Sequence, residues 1–96
     1  MRLCESDRNV IKASVKELWD EETCVYLFGS RVDDTKKGGD IDLFIVSKPQ
    51  GQDYNKKIEL SIKLQKLLGE QKIDIVIAYD PTRLIEQEAR ASGVLL

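Results

Sequence analysis

Two short apolar blocks constrain this chain more than anything else in it: Asp40-Ile41-Asp42-Leu43-Phe44-Ile45-Val46 and Lys72-Ile73-Asp74-Ile75-Val76-Ile77-Ala78. Both are rich in β-branched residues and read as strands. Residues 47–71, between them, contain a full helical pattern. A link of that kind makes the two strands parallel neighbours joined by a right-handed crossover. Asp42 and Asp74 each stand third in their block, so the pairing would set them level on one face of the sheet. Asp40 lies two residues before Asp42 and shares that face.

The rest of the chain fits around this unit. Val10, Ile11, Val15, Leu18 and Trp19 recur at helical spacing and predict a helix over residues 6–21, capped by Ser6 or Asp7. Cys24-Val25-Tyr26-Leu27-Phe28 predicts a buried strand that stops at Gly29-Ser30. The polar stretch 31–39 joins it to the next strand as an antiparallel pair. Asp53 is the expected cap of a second helix that runs to about Leu68 and stops at Gly69. Its apolar residues, from Ile58 to Leu68, cover a wide arc, which predicts burial over more than half its girth and contact with a partner. Asp80-Pro81 signals a third helix, which ends at Ser92-Gly93 before a short strand at Val94-Leu95-Leu96. The expected fold is α/β (α+β): one domain over residues 1–96, with a small mixed sheet of three to four strands and helices packed on it.

Composition removes several chemistries. With 96 residues and no histidine, imidazole is excluded as base, zinc ligand or switch. The net charge of −2 provides no basic field, so direct nucleic-acid binding is not expected. Cys4 and Cys24 form no CxxC pair and read as reduced, partly buried thiols. The first residues contain no apolar signal core, and no run approaches a membrane span, so a cytoplasmic protein is expected.

The carboxylates then stand out. Asp40 and Asp42 repel unless a cation lies between them, and Asp74 interrupts an apolar strand. Antiparallel return of the chain sets Gly29-Ser30 beside Asp40. Three carboxylates at one sheet end form an oxygen-rich site suited to Mg²⁺ shared with phosphate and water. A glycine there lets the backbone approach phosphate, and the serine hydroxyl can donate to it. Each feature also has a plainer reading. An Asp-x-Asp is commonly a turn or strand edge, Gly-Ser commonly a turn, and Asp74 could be ion-paired with Lys72 or Lys57.

In sequence order, Leu27-Phe28-Gly29-Ser30-Arg31, then Asp40-Ile41-Asp42-Leu43, then Asp74 in a later strand resembles the nucleotidyltransferase signature of the DNA polymerase beta superfamily. The likeness covers nearly the whole chain. It is greatest to the minimal nucleotidyltransferases, which consist of the catalytic core and act as antitoxins to HEPN-domain toxins. The resemblance implies that Gly29 and Ser30 hold the triphosphate of ATP or another NTP; Arg31, also a candidate nucleotide contact, could meet phosphate or acceptor or be a solvated loop residue. It implies that Asp40, Asp42 and Asp74 bind two Mg²⁺ ions, with Asp74 beside the acceptor hydroxyl. It further implies transfer of AMP to a HEPN-domain protein, within a homo- or hetero-oligomer. Val32 and Asp33 depart from the family, in which Ala and a basic residue are common. Two other activities fit the same core. One is an antitoxin acting by stoichiometric binding. The other is nucleotidyl transfer to a small molecule, with the acceptor site supplied by another subunit.

Overall fold

The structure is a computed structural model that describes residues 3–29, 40–48, 51–69 and 71–96. Among these residues the elements run α1 (Glu5–Leu18), β1 (Cys24–Phe28), β2 (Ile41–Val46), α2 (Asp53–Leu68), β3 (Ile73–Ile77), α3 (Leu84–Ser92) and β4 (Val94–Leu95). The strands form one mixed sheet in the order β3-β2-β1-β4. β1 pairs antiparallel with both β2 and β4, and β2 pairs parallel with β3. This is the α+β architecture expected from the sequence. No helix among the described residues is long and apolar enough to cross a membrane.

Strand alternation divides the core in two. Val25, Leu27, Ile41, Leu43, Ile45 and Ile75 point to one face, where Ile11 and Val15 of α1 and Leu60 and Leu64 of α2 pack on them. Phe28 and Phe44 point to the other, under Ala89 of α3. Even-numbered strand residues thus share the α3 face, and Asp42 and Asp74 belong to that set. Trp19 closes α1 at its C-terminal cap and donates its indole N–H to Asp53 Oδ1 at 3.1 Å, tying α1 to the start of α2.

Three expected helix starts move. The Sγ of Cys4, not Ser6 or Asp7, caps α1, accepting from the Asp7 N–H, and Cys4 is exposed rather than partly buried. Gln52 takes the left-handed cap position of α2, and Asp53 becomes its first helical residue. The Asp80-Pro81 signal makes a turn instead of a helix start. Asp80 Oδ1 accepts from the N–H and hydroxyl of Thr82 at 3.0 and 2.7 Å, which holds the Asp80 carboxyl below its usual range. α3 then begins after Arg83.

What fixes that late start is Glu86, a fully buried carboxylate. Its Oε2 accepts from the backbone N–H of Tyr79 and Asp80 at 3.2 and 2.8 Å and lies 3.0 Å from Arg83 Nε. A glutamate three residues past the cap that reaches back to preceding amides follows capping-box logic, extended over the turn. Its Oε1 makes no hydrogen bond among the described residues and lies 3.9 Å from an Arg90 nitrogen. Glu86→Gln keeps an acceptor for both amides but loses the charge facing Arg83. It is expected to cost about 1–2 kcal/mol in urea unfolding.

The wide apolar arc of α2 is less covered than its pattern predicts. Leu60 and Leu64 are fully buried, whereas Ile58, Ile62 and Leu67 remain 42, 53 and 55% exposed. One side of the helix meets the sheet and α1. The side towards β3, the sheet edge, has no described element over it.

Candidate active site

β2 and β3 place Asp42 directly beside Asp74, as the parallel register predicts. On the other side of Asp42 stands Phe28 of β1, so the next residue along, Gly29, turns at the same sheet end. Gly29 has φ +77°, a left-handed conformation that favours glycine. It also lies against the Asp42 carboxylate. A Cβ built on Gly29 would sit 3.1 Å from Asp42 Cγ and closer still to Oδ2. The sequence thus needs glycine here for two separate reasons.

The electrostatics follow from this crowding. The Asp42 carboxyl is pushed up from 3.8 to about 6. Burial is the largest cause, followed by the charges of Asp74 and Asp40, a hydrogen bond with Asp74, and the charge of Glu88 on α3. Lys72 does not pair with Asp74; its ammonium lies 3.4 Å from Asp40 Oδ2. Asp74 is exposed and has no ion pair with Lys57 among the described residues.

All the donors here are carboxylate oxygens, and their mutual repulsion is only partly offset by Lys72. That is the chemistry of a hard divalent cation site. Among the described residues, no three acidic side chains already stand at coordinating distance of one another. The exposed Lys72 ammonium already pairs with Asp40, and a cation would compete for that carboxylate. By their chemistry the residues present fit a divalent metal.

Gly29, Asp40, Asp42 and Asp74 are thus brought to one sheet end. Ser30 and Arg31, the other expected phosphate contacts, lie outside the described residues. An open cleft of about 570 Å³ leads away from the carboxylates, with Asp42 and Asp74 at one end and Tyr54, Ile58 and Ile62 of α2 along its wall. A second hollow of about 450 Å³ continues it along β3 towards Tyr79 and Arg83. Sequence reasoning missed this cleft, because it divided the α2 arc between the core and a partner surface without placing any of it beside the carboxylates. The spacing of Tyr54, Ile58 and Ile62, four apart, was the available signal. Glu88 was missed too, since nothing local links an α3 glutamate to Asp42.

The family model described as Polymerase beta, Nucleotidyltransferase matches residues 9–96. Among solved structures, the chain is similar to a chain in the complex of a tri-AMPylated Shewanella oneidensis HEPN toxin with MNT antitoxin. The match has a TM-score of 0.72 at 21% identity and covers 95% of this chain and 69% of that one. At that identity the likeness is one of fold. No curated protein matches the chain.

Proposed function

The chain belongs to the polymerase beta nucleotidyltransferase family, and on that premise we propose that it transfers AMP from ATP to a hydroxyl of a HEPN-domain toxin, which it thereby neutralises. The whole chain acts as one nucleotidyltransferase domain. The observation carrying this reading is the level pairing of Asp42 with Asp74, with Gly29 against Asp42. The fold shared with a chain of the toxin–antitoxin complex supports the choice of partner.

The residue roles follow from position. Gly29 has no Cβ, so the backbone there can approach a triphosphate, with Ser30 and Arg31 next in sequence to contact it. Asp40, Asp42 and Asp74 would hold Mg²⁺, and two such ions, when bound, neutralise charge developing on the attacking and leaving oxygens. Asp74, exposed at the mouth of the cleft, faces the acceptor hydroxyl and takes its proton. The hydroxyl oxygen forms a bond to the α-phosphorus. The bond from that phosphorus to the bridging oxygen breaks, and pyrophosphate leaves with its electron pair.

The test is incubation of the purified chain with its co-expressed HEPN-domain protein, Mg²⁺ and ATP labelled at the α-phosphate. The expected result is label on the partner, a mass increase of one AMP per modified hydroxyl, and loss of toxicity. Absence of label overturns the reading. The exposed apolar flank of α2 favours a second reading, neutralisation by stoichiometric binding. In that case the Asp40→Asn chain would still suppress the toxin in full.

A further inference from the structure

The hydrogen bonds of β3 leave a short window unpaired on its outer edge among the described residues. Ile41 N–H donates to Lys72 O at 3.0 Å, and Ala78 N–H donates to Ile45 O at 2.9 Å. In a parallel ladder these two bonds direct the backbone groups of residues 72, 74, 76 and 78 towards β2. Those of residues 71, 73, 75 and 77 therefore face outward. Both ends of that outer row are capped by side chains. Gln65 brackets Gln71, accepting from its N–H at 3.1 Å and donating to its carbonyl. Arg83 Nη2 donates to Ile77 O at 3.4 Å. Between the caps, the outward groups of Ile73 and Ile75 have no hydrogen-bond partner among the described residues; Ile73 is half-buried and Ile75 is 5% exposed, so the edge is unpaired there but closely flanked by side chains. Both residues line the cleft that ends at Asp42 and Asp74.

We infer that this window receives the acceptor as an extended segment of the partner protein, which pairs with Ile73 and Ile75 as a fifth strand of the sheet. The inference rests on the proposed transfer to a protein hydroxyl. It adds how that hydroxyl is presented. A strand paired through Ile73 and Ile75 sets one of its residues level with Asp74, and side chains at one level of a sheet share a face. A hydroxyl residue at that position points to the Asp42–Asp74 side. Its two neighbours point to the α2 side, where Ile58 and Ile62 offer an apolar wall. Lys57 lines the same wall and forms no ion pair among the described residues, so an acidic residue beside the hydroxyl is the charge complement.

Three observations select this occupant. The cleft is continuous with the carboxylates that need an acceptor. The unpaired window, two residues with side-chain caps at each end, suits a short extended segment and not a helix. The described chain ends lie far from it. Leu96 N–H donates to Val25 O, and Arg8 donates to Leu96 O at 2.9 Å, which places both ends at the β4 edge, the opposite side of the sheet.

Amide hydrogen exchange of the full chain, alone and with the HEPN-domain protein, tests the placement without requiring catalysis. Exchange at Ile73 and Ile75 is expected to slow at least tenfold in the complex. Unchanged exchange there, with protection confined to α2, overturns strand pairing. Protection already present in the chain alone means that a second copy or another part of the chain fills the window, and overturns it equally. Kinetics supply the second arm. Ile62→Glu, on an exposed face that should tolerate charge, is expected to raise KM for the HEPN-domain protein at least tenfold while KM for ATP stays within twofold. Ile73→Pro removes an outward N–H without removing a β2–β3 bond and is expected to do the same. Unaltered acceptor KM in both variants overturns the inference. If the wild-type chain transfers nothing while the exchange protection appears, the proposed activity has failed and the docking has not.

Discussion

Asp42→Asn is expected to lower nucleotidyl transfer by roughly 10³-fold and, in the absence of metal, to make the protein more stable. The two effects have one cause. Asp42 stands between two other carboxylates and near a fourth, with its carboxyl raised to about 6. An amide of the same shape removes the central charge of the site, so a divalent cation loses its shared ligand. Transfer assays with labelled ATP at saturating Mg²⁺ measure the first effect. A variant with more than a tenth of wild-type activity would remove Asp42 from the metal site.

The stability effect has a defined pH window. The folded-state pKa of Asp42 is above its unfolded value of 3.8, so the folded chain binds the proton more tightly. Stability from this group is full below pH ~4 and is lost as pH rises through about 6. A shift of this size is about 3 kcal/mol unscreened, and about 1–2 kcal/mol at a site open to solvent. In metal-free buffer at pH 7.5, Asp42→Asn should therefore unfold several degrees above wild type, at about 4–8 °C per kcal/mol. At pH 4 the difference should vanish. Mg²⁺ should raise the wild-type midpoint and leave that of the variant unmoved. Below pH 6, Mg²⁺ affinity should fall as the proton competes for Asp42.

Much of this site was legible because its determinants are local or follow from register. The β-branched blocks around Asp42 and Asp74, with a helix between them, admit few topologies, and the parallel pairing sets the two aspartates level. The helix starts were less legible, since capping depends on which polar atom reaches which amide. Asp80 accepts from Thr82 within its own turn, and Glu86, six residues on, takes the amides of Tyr79 and Asp80 that lie before that turn. The cleft was hidden for a different reason. Periodicity reports that Ile58, Ile62, Leu60 and Leu64 are apolar, but not that, among the described residues, the last two are buried and the first two exposed. Excess apolar width on a helix is thus a signal of an external surface as much as of a core.

Gly29→Ala is the second large effect expected, and it separates backbone strain from site chemistry. At φ +77° an added Cβ strains the backbone wherever it points, at about 1–2 kcal/mol. The methyl would also meet the end of the Asp42 side chain. A carboxylate can rotate away at small cost in stability, but the rotated group no longer lies level with Asp74 at the sheet end. The variant should therefore fold, with an unfolding midpoint several degrees below wild type, and lose transfer by at least about 10²-fold, since misplacement of about 1 Å costs that much. The double variant Gly29→Ala with Asp42→Asn distinguishes the two contributions. If the glycine acts on activity mainly by seating Asp42, adding Ala to Asp42→Asn lowers activity by less than about threefold, while the backbone strain adds to instability in full. Full additivity in activity would mean that Gly29 serves the triphosphate directly, independently of Asp42. Activity above a tenth of wild type in the single Gly29→Ala variant would show that neither the seat of Asp42 nor the close backbone approach is needed for transfer.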